Sequence, residues 1–284
     1  MKKFFYILVA LVVFSSCSEY QKVLKASGEG ATAEKFKMGE ALYNEGKFAK
    51  ANRLFGQIVP EYRGKPQAEK LMYLYAMTFY KMKDYYISSY RFEQFATAYP
   101  KSEKREEASF LSAQSYYMLS PVYTKDQTET TEAIEKIQEF INRYPESEYL
   151  PEANKLVKEL EFKLEQKAFA IAKQYSLIAP GFTHDFNAAI KSFDNFLYDF
   201  PGSSLREDAN FYRLDAIYQQ AVNSVEYNRS IEGEVVHIRK QRLENAKEAS
   251  TSFIKSFANS KYVEQVKEMA KVVDQELKKY STKS

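Results

Sequence analysis

Apolar residues recur along this chain at helical spacing, in paired runs broken by short polar turns. In "LMYLYAMTFYKMKDYYISSYRFEQFATAYPKS" the first run carries Met72, Tyr75, Ala76 and Phe79 and ends near Lys83-Asp84. The second carries Tyr85, Ser88, Ser89, Phe92, Phe95 and Tyr99, and Pro100 closes it. Three or four residues between apolar positions put them on one face of a helix, so the pattern predicts two amphipathic helices packed as a hairpin. Small residues at Ala76 and Ser88 mark where the two helices approach.

The same punctuation returns. "YPKS" at 99–102, "YPES" at 144–147 and "FPGS" at 200–203 each end an amphipathic run. Proline ends a helix because it has no backbone N–H and restricts the residue before it. Ser102, Ser147 and Ser203 are then candidate caps for the next helix, with Glu103, Glu148 and Glu207 near its positive end.

Aligned on these stops, the chain gives five hairpins. The first has Gly39, Leu42, a turn at Glu45-Gly46, then Ala51, Phe55 and Ile58, with Arg63 in the proline's place. The third has Ala113 and Tyr116, then Ala133, Ile137, Phe140 and Pro145, around a loop at 120–131. The fourth has Ala172 and Tyr175, then Ala189, Phe193, Phe196 and Pro201, around a loop at 177–185. The fifth has Phe211, Leu214 and Tyr218, then Ala246, Phe253 and Phe257, with Ala258 replacing proline. Residues 152–178 read as one long helix, 224–240 as a lengthening of the fifth hairpin, and 278–284 as a frayed polar end. The expected fold is all-α, an α-solenoid of about five helical hairpins resembling tetratricopeptide (TPR) repeats of about 34 residues. Four positions of the second hairpin carry the TPR resemblance: Ala76, Ser88, Phe92 and Pro100.

Composition narrows the function. Only nine glycines and eight prolines in 284 residues suit long elements with few tight turns. The formal charge is +3, and removal of Lys2 and Lys3 leaves it near +1, with lysine and glutamate mixed throughout. No basic face of the kind that binds nucleic acid is visible. There is no GxSxG, Walker, HExxH, CxxC or GxGxxG motif. His184 reads as a loop residue with Asp185 as a helix cap, and His237 as a solvated residue. The expectation is a protein that is no enzyme and holds no metal or cofactor.

The amino terminus, "MKKFFYILVALVVFSSC", has a basic start, an apolar core from Phe4 to Phe14 and small residues before the chain's single cysteine. That core is too short to span a bilayer and fits a secretory signal. Cys17 after Ser15-Ser16 resembles a bacterial lipobox, with Phe14 where leucine is usual; the other reading is a buried cysteine beside a plain cleavage site. The resemblance implies removal of residues 1–16, acylation (palmitate) of Cys17 and, with Ser18 following, an outer-membrane anchor on the periplasmic face. Residues 17–30 read as a lipidated tether. The expected parts are then hairpins one to three at 31–150, hairpins four and five at 151–260, and a helical, polar tail at 261–284.

In TPR proteins the first (A) helices line a peptide groove. Counting from each small residue, the groove candidates are Phe36, Glu40 and Tyr43, then Tyr73, Met77 and Tyr80, then Phe110, Gln114 and Tyr117. The competing reading buries these side chains between hairpins as core.

The lipobox, the order of hairpins and the stretches "EGKFAKANRLFGQI", "FINRYPESEYLPEANK" and "AIKSFDNFLYDFPGSSLREDA" together resemble the BamD (YfiO) family. These are lipoproteins of the outer-membrane β-barrel assembly (BAM) complex. The resemblance implies a scaffold without cofactors. Its carboxy-terminal hairpins would dock a periplasmic POTRA domain of a BamA-like barrel subunit, and its amino-terminal groove would receive unfolded outer-membrane proteins. Two other readings remain: a TPR adaptor of the Tol–Pal and cell-wall type, and a glycan-binding lipoprotein of the SusD class. Five hairpins behind Cys17 speak against the first, and this length with no tryptophan against the second.

Overall fold

The computed structural model describes residues 19–28, 30–183, 185–225, 228–231 and 234–281. Helix α1 (19–25) leads into α2 (Ala31–Asn44), α3 (Phe48–Tyr62), α4 (Ala68–Lys81), α5 (Tyr85–Ala98), α6 (Arg105–Leu119) and α7 (Thr128–Arg143). Then follow α8 (Leu150–Ile178), a π-helical turn (Ala179–Thr183), α9 (Phe186–Asp199), α10 (Arg206–Asn223), α11 (Ile238–Ser256) and α12 (Val263–Ser281). The fold is all-α and built of TPR-like hairpins, apart from one antiparallel pair, β1 (Asn228–Ile231) with β2 (Glu234–His237), between α10 and α11. The chain divides into two compact units within α8, at Glu161/Phe162, rather than at 150/151.

In the amino-terminal unit, α3 buries Ala51, Leu54, Phe55, Ile58 and Tyr62, the amphipathic spacing of the sequence. Pro60 lies inside its last turn, so it does not close the hairpin as Pro100, Pro145 and Pro201 do. Phe55, Phe92 and Phe95 are fully buried, and α7 meets the start of α8 through Ile137, Phe140, Ala153, Leu156 and Leu160. In the carboxy-terminal unit, Ala172 of α8 packs with Phe193, Phe196 and Ala209. The candidate core residue Tyr175 is exposed instead. Helix α12 buries Val266, Met269 and Val273 against α10 and α11, so 263–281 is a packed closing helix and not a polar tail.

The Tyr-Pro-x-Ser stops share one geometry. At Tyr99, Tyr144, Phe200 and Phe257 the backbone N–H donates to the phenylalanine carbonyl four residues back. The serine three residues on donates its N–H to the aromatic's carbonyl. Each aromatic ring leans on that same phenylalanine, with centroids 5.0–5.4 Å apart and planes at 38–40°. The serine Oγ accepts the N–H two residues ahead, at 3.0 Å for Ser102 and 3.1 Å for Ser147, Ser203 and Ser260. The serines therefore cap the short turn before each helix rather than the helix itself. Ser102, Ser203 and Ser260 also donate to Glu69, Glu165 and Glu207. Ala258 shows that the turn forms without proline.

The turns inside the first two hairpins are Schellman motifs. Lys47 N donates to Leu42 O and Gly46 N to Tyr43 O; Asp84 N donates to Phe79 O and Lys83 N to Tyr80 O. The left-handed position is filled by Gly46 (φ 76°) in one and by Lys83 (φ 63°) in the other. A side chain is disfavoured there. Lys83→Gly is expected to stabilise the protein by roughly 0.5–1 kcal/mol, because the residue is exposed and glycine takes this conformation freely. An unchanged or lower urea midpoint would contradict it.

Candidate site on the A helices of the amino-terminal unit

The nine candidates from α2, α4 and α6 separate by burial. Phe36, Met77 and Phe110 are core, at 7%, 9% and 6% exposure. Phe36 stacks on Tyr62 with centroids 5.4 Å apart, and Phe110 stacks on Tyr149 at 4.6 Å. These three are corrected from groove to core, since a ring or thioether sealed between helices has no face left for a ligand.

The other six form a partly exposed row, and all but Tyr43 pair with a residue of a neighbouring A helix. Glu40 of α2 makes an ion pair with Lys70 of α4. The Tyr80 hydroxyl of α4 donates to Gln114 Oε1 of α6 at 2.6 Å. The Tyr117 hydroxyl of α6 donates to Glu159 Oε2 of α8 at 2.6 Å. Tyr43 sets its ring edge against Phe48, 5.4 Å away.

Glu107, in the first turn of α6, is the hub of the row. Tyr73 hydrogen-bonds it, and Tyr43 and Tyr149 lie close enough to feel its charge. Lys104 Nζ donates to Glu107 Oε2 at 2.7 Å and lies over the Tyr73 ring, 5.6 Å from its centroid. Burial pushes the Glu107 carboxyl up, but the hydrogen bonds from Lys104 and Tyr73 outweigh it and hold the group below its usual range. Burial, then Glu107, drives the Tyr73 phenol strongly upward. Burial and Glu107 raise Tyr43 as well. The hydrogen bond to Glu159, with burial, pushes Tyr117 up to about 12. The row therefore presents neutral phenols beside fixed charges through the physiological range. It can offer ring faces, hydroxyl oxygens that still accept, and one ammonium to a bound chain.

Glu107, Lys104, Tyr149 and Glu159 were missed by sequence reasoning. The i,i+3 Lys104–Glu107 spacing was the available signal, but it reads as an ordinary exposed helix pair. Of the other candidate groups, Asp185 caps α9 by accepting Ala188 N at 3.0 Å, as expected. His237 is exposed, with its ring centroid 6.5 Å from that of Tyr280. Cys17 and His184 lie outside the described residues. Among the described residues no group of acidic, histidine or cysteine side chains is arranged to hold a metal ion, and no helix is long and apolar enough to cross a membrane.

Residues 29–179 match the family model YfiO, outer membrane lipoprotein. The chain is 26% identical over 197 residues to the putative outer membrane protein assembly factor BamD of Aquifex aeolicus (strain VF5), covering 69% of this chain and 62% of that protein. It is 26% identical over 101 residues to the outer membrane protein assembly factor BamD of Helicobacter pylori (strain ATCC 700392 / 26695), covering 36% of this chain and 46% of that one. The match thus spans less than two thirds of either relative. Two solved structures also align. The TPR2AB domain of yeast Sti1 in its pHSP90 complex is 11% identical with a TM-score of 0.37, over 87% of this chain and all of that one. The apo form of RapI is 13% identical with a TM-score of 0.34, over 98% and 100%.

Proposed function

This chain belongs to the YfiO family of outer-membrane lipoproteins, and on that premise we propose that it is a non-enzymatic scaffold of the machinery that assembles β-barrel proteins in the outer membrane. It is anchored through an acylated Cys17 on the periplasmic face. The helices beyond residue 161 dock a POTRA domain of a BamA-like subunit. The A-helix row of the amino-terminal unit receives unfolded outer-membrane proteins at their carboxy-terminal, aromatic-ending segments.

The observation that carries this reading is the row of half-exposed tyrosines, Tyr43, Tyr73, Tyr80 and Tyr117, each from an A helix. An extended segment ending in an aromatic residue offers rings for stacking and backbone N–H groups for hydroxyl oxygens whose own protons are already given to Gln114 and Glu159. Two measurements test the proposal. Mild solubilisation of the envelope and capture of the tagged full-length protein should bring down a POTRA-bearing β-barrel protein in stoichiometric amount. Its absence, with Tol–Pal components in its place, would sink the assembly reading. A fluorescent peptide ending in phenylalanine should bind the protein and lose at least tenfold in affinity, about 1.4 kcal/mol, on Tyr43→Ala with Tyr80→Ala. Tyr198→Ala, an exposed tyrosine of the other unit, should leave binding unchanged. Equal loss in both variants would remove the row from substrate recognition.

A further inference from the structure

The stretch read as a tether is folded. Helix α1 buries Tyr20 to 6% and Val23 to 1%, and both pack on the fully buried Leu54 of α3. Leu24, Met38 and Leu42 complete that contact. Lys50 Nζ lies over the Tyr20 ring, 5.2 Å from its centroid, and Glu19 and Tyr20 share a cleft with Glu45, Lys47 and Lys50. The start of α1 is therefore fixed beside the α2–α3 turn.

Only Ser18 separates Cys17 from Glu19. Two Cα–Cα steps reach about 7 Å even when fully extended. The polar headgroup layer on each side of a bilayer is itself roughly 5–8 Å thick. An acyl anchor at Cys17 thus cannot hold the first hairpin at a distance.

We propose that the tip of the first hairpin, Glu45–Lys50 with the start of α1, is a docking face for the phospholipid surface, so that the anchor orients the amino-terminal unit as well as tethering it. This rests on the proposed acylation of Cys17. The chemistry of the face agrees with that occupant. Lys22, Lys47 and Lys50 are exposed there against the carboxylates Glu19 and Glu45, the latter held by Lys47 at 2.7 Å, so the face keeps a small positive excess that suits a phosphate-rich layer. The opposite end of α3 lies about 20 Å away along the helix, beyond the headgroups.

Because Cys17 is the single cysteine and acylation blocks its thiol, one added cysteine can be labelled selectively. Full-length acylated protein carrying Lys47→Cys or Lys65→Cys would be labelled with a fluorophore. It would then be reconstituted in phosphatidylethanolamine–phosphatidylglycerol vesicles containing a headgroup-nitroxide lipid. Quenching at 47 is expected to exceed that at 65 at least threefold. The difference should vanish when ten Gly/Ser residues are inserted between Ser18 and Glu19, or when Val23→Asp detaches α1. Equal quenching at 47 and 65 in a protein shown by mass spectrometry to be acylated would overturn the docking face and leave the anchor standing. An unacylated Cys17 in the envelope protein would overturn both.

Discussion

Removing the Phe55 ring will cost the amino-terminal unit about 3–5 kcal/mol and will reverse the effect of a methyl group added at Gly39. Phe55 is fully buried between α2, α3 and α4, and Phe36 leans on it with centroids 6.3 Å apart. A Cβ built on Gly39 would lie 2.5 Å from Phe55 Cε1 and 2.9 Å from Cδ1, closer than real carbons approach. Gly39→Ala alone therefore forces the ring out of its packed position, an overpacking cost of about 1–3 kcal/mol. That exceeds or matches the gain of about 1 kcal/mol from alanine in a helix interior. Once Phe55→Ala has emptied the site, the clash is gone and the helix gain remains, so Gly39→Ala should stabilise that background by about 1 kcal/mol. A double-mutant cycle on urea midpoints reads the coupling directly. Additive changes would show that the two helices are not held apart by this contact.

Alkaline pH is expected to loosen the amino-terminal unit before the carboxy-terminal one. Burial raises the phenols of Tyr43, Tyr62, Tyr73, Tyr80, Tyr99, Tyr116 and Tyr149 in the first unit, and Tyr117 reaches about 12 through its bond to Glu159. In the second unit Tyr218 and Tyr262 are raised. Unfolded tyrosines lose their protons near pH 10. The folded unit keeps them to higher pH, so above that point the unfolded state binds fewer protons and stability falls as pH rises. The contribution is fully present below pH 10 and is lost as pH rises through the folded-state values, which for Tyr117 means about 12. Lys104 and Lys136, raised in the folded state with Glu107 and Glu93 as partners, act in the same direction. Thermal melts from pH 8 to 11.5 should drop steeply beyond pH 10, with proteolytic cuts appearing first within 31–161. A flat profile to pH 11.5 would contradict the assignment of these hydroxyls.

The hairpins were legible because their signal is local. Three- and four-residue spacing, small residues at Ala76 and Ser88, and Asp185 before α9 each act within one helix or one contact, and the structure places them as read. Helix α1 was not legible: over seven residues Tyr20, Val23 and Leu24 give too little periodicity to stand out from a linker. The β1–β2 pair spans four residues a side around Glu232-Gly233, too short for an alternating pattern to outweigh the helical stretches beside it. For α12, the spacing of Val266, Met269 and Val273 was present, but its many lysines and glutamates masked one narrow buried stripe. The site fared worse than the fold. Periodicity placed Tyr43, Tyr73, Tyr80 and Tyr117 on A helices, yet their partners come from neighbouring hairpins: Glu107 for Tyr73, Gln114 for Tyr80 and Glu159 for Tyr117. A one-dimensional pattern carries no record of such pairings. It also gave Phe36, Met77 and Phe110 the same phase as the tyrosines, and only packing separates them.

The serine-closed stop has a genetic consequence. The segment from Glu69 to Lys104 contains every partner of its own closing hydroxyl: Ser102 donates to Glu69 and accepts from the amide of Lys104. A tandem duplication of that stretch would arrive with its joint already made. Each copy then needs to match only the helices beside it. Gain or loss of a whole hairpin at such a joint is expected to disturb only the helices on either side of it.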